Sequence, residues 1–78
     1  MAAEHEIIAL MERIVGGDPI ADSEVMVLAG ANFSPVTGAA WHLLCHWISD
    51  ADIRARDPSY EAGQLEQIRA QLRKLQRE

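Results

Sequence analysis

The 78-residue sequence predicts one all-α domain, a small four-helix bundle of orthogonal or irregular type around a central uncharged helix at 34–49. Three observations predict it. Each proline follows an Asp or a Ser (Asp18-Pro19, Ser34-Pro35, Asp57-Pro58). That pairing marks helix starts, where a side-chain oxygen caps the first turn and proline fills a position whose N–H has no helical partner. Apolar residues recur at three- and four-residue spacing on either side of these pairs. Finally, Val25 to Ser49 contains no Asp, Glu, Lys or Arg, yet holds both tryptophans, the phenylalanine and the cysteine.

The first helix is expected at about 3–15, with Ile7, Ile8, Leu10, Met11 and Ile14 on one face and His5, Ala9, Glu12 and Arg13 on the other. Gly16-Gly17 ends it, because glycine takes the left-handed conformation of a C-cap. A second helix is expected at about 19–30, opened by Asp18-Pro19 or capped by Asp22 or Ser23. Val25, Met26, Val27 and Leu28 share no single face, so that helix must be buried nearly all round. A strand at 22–29 is the alternative, disfavoured because it has no partner strand.

Gly30-Ala31-Asn32 makes the next turn, and the third helix follows at 35–49. Val36, Ala40, Leu43, Leu44 and Trp47 form its core face. Gly38, His42, Cys45 and His46 lie roughly opposite, with Trp41 on the flank. Ser49-Asp50-Ala51-Asp52 restarts one short turn, with Asp52 at a capping-box position and Ile53 directed inward. The last helix is expected at 58–77. Its Leu65, Ile68, Leu72 and Leu75 form an a/d seam, too short for an independent coiled coil and suited to packing on a bundle.

Composition narrows the function classes. Hydrophobic content of 49% and charged content of 24% are ordinary for a globular domain. A chain this short buries only about 60% of its unfolded surface, so a disulfide, a metal or self-association is the usual aid. With Cys45 alone no internal disulfide forms, which leaves self-association or metal binding. The net charge of −5 makes a nucleic-acid partner an unfavoured expectation. Residues 1–61 carry ten acids and three bases, a net −7, whereas 62–78 carry a net +2. The cations at the end suit a helix C-terminus.

The first ten residues hold acids where an export signal needs bases. Gly30, Asn32, Ser34 and Pro35 interrupt the uncharged stretch before it reaches membrane-spanning length. A cytoplasmic protein without a membrane partner is therefore expected. Six arginines against one lysine fit a bacterial or phage gene of high GC content.

Four constellations bear on chemistry. His42 and His46 stand four apart on a helix and Cys45 lies between them, a spacing that offers zinc up to three ligands. The glutamate of an HExxH site is missing, and no fourth ligand is evident. Cys45 as a nucleophile lacks an oriented base. Asp22-Ser23 resembles the Asp-Ser pair on which acyl carrier proteins bear a phosphopantetheine arm, but Glu24 stands where that motif continues with leucine, and a helix cap accounts for both residues. Residues 29–37 resemble the turn of a helix-turn-helix, yet the following helix offers DNA almost no polar or cationic side chains.

The expected function is thus a non-catalytic protein-interaction module that forms a homodimer and needs no cofactor. Gly38, Trp41, His42, Cys45 and Ile48 of the third helix, and Leu65, Ile68, Leu72 and Leu75 of the last, are the candidate contact residues. Zinc binding through His42, Cys45 and His46 is the alternative. A small acidic inhibitor or immunity-type protein, docking through Asp18, Asp22, Glu24, Asp50, Asp52 and Asp57, is a further one, beside the helix-turn-helix DNA binder.

Overall fold

The computed structural model describes residues 2–77, with side chains from residue 4 to residue 77. Among them it holds five helices and no strand: α1 (Ala2–Val15), α2 (Asp22–Met26), α3 (Pro35–Ser49), α4 (Ala51–Arg56) and α5 (Pro58–Arg77). The all-α class holds, but the arrangement expected as four helices contains five.

α1 ends where its glycines dictate. Gly17 has φ +90°, Asp18 N–H donates to the Arg13 carbonyl (2.8 Å), and Gly17 N–H donates to the Ile14 carbonyl (3.0 Å). This is a Schellman ending, and it corrects the expectation for Asp18-Pro19. The backbone N–H of Asp18 is already spent on closing α1, and the chain leaves in an extended path. Arg13 holds that path, donating to the Pro19 carbonyl (2.7 Å) and to the Glu24 carboxylate (3.0 and 3.1 Å).

α2 therefore starts late and is one turn long. Its N-cap is Ala21, whose N–H donates to Glu24 Oε2 (3.2 Å), so neither Asp22 nor Ser23 caps it. The burial expected on all sides is also corrected. Val25 is fully buried, but Met26 is 46% and Val27 77% exposed. A single turn lying on α3 can cover only the side it presents.

Ser34 and Asp57 cap the next long helices as expected. Ser34 Oγ accepts the Thr37 N–H (3.2 Å), and Asp57 Oδ1 accepts those of Ser59 and Tyr60 (3.0 and 3.2 Å). Thr37 is fully buried with every polar atom engaged: its hydroxyl accepts from Ser34 Oγ (3.0 Å) and donates to Glu4 Oε2 (2.9 Å). That chain of bonds joins the first turn of α1 to the first turn of α3.

A joint at Asp50 separates α3 from α4. Ile53 does not point inward; it is 38% exposed. α4 instead makes its contact through Arg54, whose guanidinium lies 3.6 Å over the Trp47 ring and donates to the Trp47 carbonyl and to Gln64 Oε1 (3.1 Å). Asp52 sits 3.9 Å from Arg56 and caps nothing.

The core gathers Ile7, Leu10, Met11 and Ile14 of α1, Val25 of α2, Ala40 and Leu44 of α3, and Ile68, Leu72 and Leu75 of α5. Each fully buried aliphatic side chain stabilises the fold by about 1.5–3 kcal/mol. α5 packs against α1, α3 and α4, and Gln71 fastens it further by donating to the Val36 carbonyl (2.9 Å). No described helix is long and apolar enough to cross a membrane.

Candidate interaction surface

Successive residues of a helix are about 100° apart, so the 15 residues of α3 divide among four sides. Thr37, Ala40 and Leu44 point into the core. Val36, Leu43 and Trp47 border it, half-buried and packed against it.

The side expected to lie opposite the core is split. Gly38, Trp41, Cys45 and Ile48 are half-buried on the flank covered by α2 and the turn after it. Trp41 Nε1–H donates to the Val25 carbonyl (3.1 Å), and Phe33 stacks on Trp41 with ring centroids 6.2 Å apart. A Cβ on Gly38 would meet Phe33 Cβ at 3.7 Å, an ordinary contact, so Gly38 already has a neighbour within its own chain. Burial holds the Cys45 thiol above its ordinary pKa, and the negative charge of Asp22 adds to this. A thiol held protonated is a poor nucleophile.

The fourth side is open. Pro35, Ala39, His42, His46 and Ser49 follow one another at four- and three-residue steps and are all exposed. None carries a formal charge with histidine neutral. The His42 ring meets Trp41 edge-on at 5.5 Å. α3 contains no lysine or arginine, so this side offers nothing to neutralise a phosphate.

The two histidines thus share the open side, while the helix turns Cys45 toward α2. Among the described residues, no group of three or more His, Cys, Asp or Glu side chains is placed to hold a metal ion together.

The a/d seam of α5 faces inward: Ile68, Leu72 and Leu75 are buried in the chain's own core, and Leu65 is half-buried beside it. Most of the acids proposed for an inhibitor surface have partners inside the molecule. Glu24 is bound by Arg13, which with the Ala21 N–H holds its carboxyl below the ordinary value. Asp52 lies near Arg56 and Asp57 caps α5. Asp50 Oδ2 accepts from the Tyr60 hydroxyl (2.6 Å) and from Gln64 Nε2 (3.0 Å). The bond to Asp50 is the main reason the Tyr60 phenol sits above its ordinary pKa. Asp18 and Asp22 are exposed.

Two hollows flank these elements. One, of about 330 Å³, lies between the second half of α3 and the first half of α5, with Leu43 and Ile68 as its apolar walls and Asp50 at its edge. The other, broader and shallower at about 680 Å³, opens between the end of α1 and α4, over Trp47 and Leu65.

Arg13, Asp50, Arg54 and Gln64 do the polar work at these joints, and sequence spacing assigns none of them to it. Their partners lie from 6 to 14 residues away, beyond the one-turn spacing that links neighbours within a helix. No family model, curated protein or solved structure matches this chain.

Proposed function

We propose that this protein is a non-catalytic interaction module that pairs with a second copy of itself through the open side of α3. The observation that carries this reading is an exposed, uncharged helix side on a chain of net charge −5. Two such chains repel each other at long range. A twofold interface sets a surface against itself, so any carboxylate near its axis meets its own copy. The exposed sides of α1, α2, α4 and α5 all carry acids (Glu6 and Glu12, Asp22, Asp52, Glu66). Among the described helices, only α3 has an exposed side free of acids. Ala39, the second of the five residues of the stripe, is small enough to let two helix backbones approach, and exposed Met26 of α2 and Val27 just after it add apolar area.

Size sets the strength of this pairing. A helix of 15 residues is about 22 Å long, and one side about 10 Å wide buries on the order of 220 Å² per chain. A stable pair buries about 800 Å² per partner. A reversible, concentration-dependent dimer is therefore the form expected. Sedimentation velocity from micromolar to millimolar protein tests it. The mean mass should rise from 8.6 kDa toward twice that value, and Ala39→Glu should hold it at the monomer. A monomer throughout the range would sink the proposal.

A further inference from the structure

We propose that the hollow between α3 and α5 is a binding site for a small organic cation, an ammonium or guanidinium group, with the Asp50 carboxylate as its counter-ion. This does not rest on self-association, although His46 borders both surfaces.

The hollow, of about 330 Å³, lies at the small end of the range of ligand pockets. Asp50 is the only carboxylate lining the hollow, and the one other ionisable side chain besides the Tyr60 phenol is His46, so with histidine neutral the charge of the lining is that of Asp50. The carboxylate is also held in place. Tyr60 and Gln64 both donate to Oδ2, and Gln64 is itself fixed by Arg54 through its Oε1. Oδ1 accepts no hydrogen bond from the described residues, leaving an anionic acceptor for a ligand donor. Arg54 feels the negative charge of Asp50 but donates no described hydrogen bond to it, its guanidinium being bonded to the Trp47 carbonyl and Gln64 and stacked on Trp47. An aromatic ring, Tyr60, lines the same hollow.

Gly63 is an independent observation pointing the same way. It sits inside α5, where glycine costs about 1 kcal/mol relative to alanine. A Cβ there would meet nothing within 4 Å, so packing does not demand glycine. Gly63 lines the hollow, and the space around the position of its missing Cβ is open.

Titration of ¹⁵N-labelled protein with agmatine, with N-acetyl-arginine N-methylamide and with neutral 1-butanol, followed by NMR amide shifts, tests the site. Saturable shifts around Asp50, Tyr60 and Gly63 are expected below about 10 mM of either cation. Tighter binding of agmatine marks a free small molecule as the ligand, and tighter binding of the capped arginine marks a side chain of a partner protein. Asp50→Asn should weaken binding at least tenfold. Gly63→Leu should abolish it while leaving the melting temperature unchanged or higher, since the helix loses a glycine. No saturation by either cation, equal shifts with 1-butanol, or a folded Gly63→Leu protein that binds like the unaltered chain would overturn the proposal.

Discussion

α3 and α5 are two of the three long helices that meet in the core, and their outer sides differ. α5 buries Ile68, Leu72 and Leu75 and turns Glu66, Arg69, Arg73, Lys74 and Arg77 to solvent. Its composition follows from having one apolar side and one wet side. α3 buries Thr37, Ala40 and Leu44, has a second flank under α2, and still presents Ala39, His42, His46 and Ser49 to solvent without a charge. The fold explains the apolar and the charged sides of α5, Gly63 apart, and only three sides of α3. The absence of charge on the fourth side is what points to a role beyond folding.

The contrast breaks most readily at the inner faces. Leu44→Ala removes a fully buried side chain and should cost about 2–5 kcal/mol in a urea melt, a large part of the stability of so small a domain. A cost below about 1 kcal/mol would mean that α3 does not share the core with α5. Thr37→Val keeps the shape but deprives Ser34 and Glu4 of a partner. It should cost about 1–2 kcal/mol, a fall in melting temperature of about 4–8 °C per kcal/mol.

The outer faces sharpen the comparison. Ala39→Glu and Arg73→Glu should each change stability by less than about 0.5 kcal/mol. Only Ala39→Glu should shift the sedimentation profile to monomer; equal effects from the two would erase the difference between the helices.

Tyr60, the one tyrosine, reports on the tie between α3 and α5. Its phenol pKa is raised above 10.0 in the folded chain, so the stabilisation linked to it is complete below pH 10 and is lost as pH rises through the raised value. Tyrosinate absorbance should give a midpoint above 10 that Asp50→Asn moves back down. The smallest effect belongs to the Arg13–Glu24 clamp, which is largely solvated. The Glu24 pKa is lowered from 4.5, so its contribution is complete above 4.5 and fades as pH falls through the lower folded value. Glu24→Gln should flatten the acid limb of a pH–melting curve and leave pH 7 behaviour nearly unchanged.

The three long helices were legible because each repeats apolar residues at helical spacing and is bounded by a cap or a glycine. Ser34-Pro35 and Asp57-Pro58 follow the rule for helix starts, and Asp18-Pro19 does not: the chain leaves the Schellman turn of α1 and runs through 18–21 without helix before α2 begins at Asp22. A helical wheel gives angles but not neighbours. It grouped Gly38 and Cys45 with His42 and His46, and only the arrival of α2 on one side of that arc separates them. The Thr37–Glu4 bond, 33 residues apart, and the Asp50 junction depend on how helices cross, which local spacing does not encode. The open side of α3 was visible in sequence as missing charge, whereas the hollow beside it became visible only once α5 was in place.

The position of α5 also governs the order in which the fold can be assembled. α1, at the start of the chain, closes its apolar face against Ile68, Leu72 and Leu75, some sixty residues later. During synthesis, at about 5–20 residues per second, Ile7, Leu10, Met11 and Ile14 must wait several seconds for that cover. The core therefore cannot close vectorially from its first helix. It closes fully only once Leu75 is available, and until then the apolar face of α1 has only α2 and α3 to pack against.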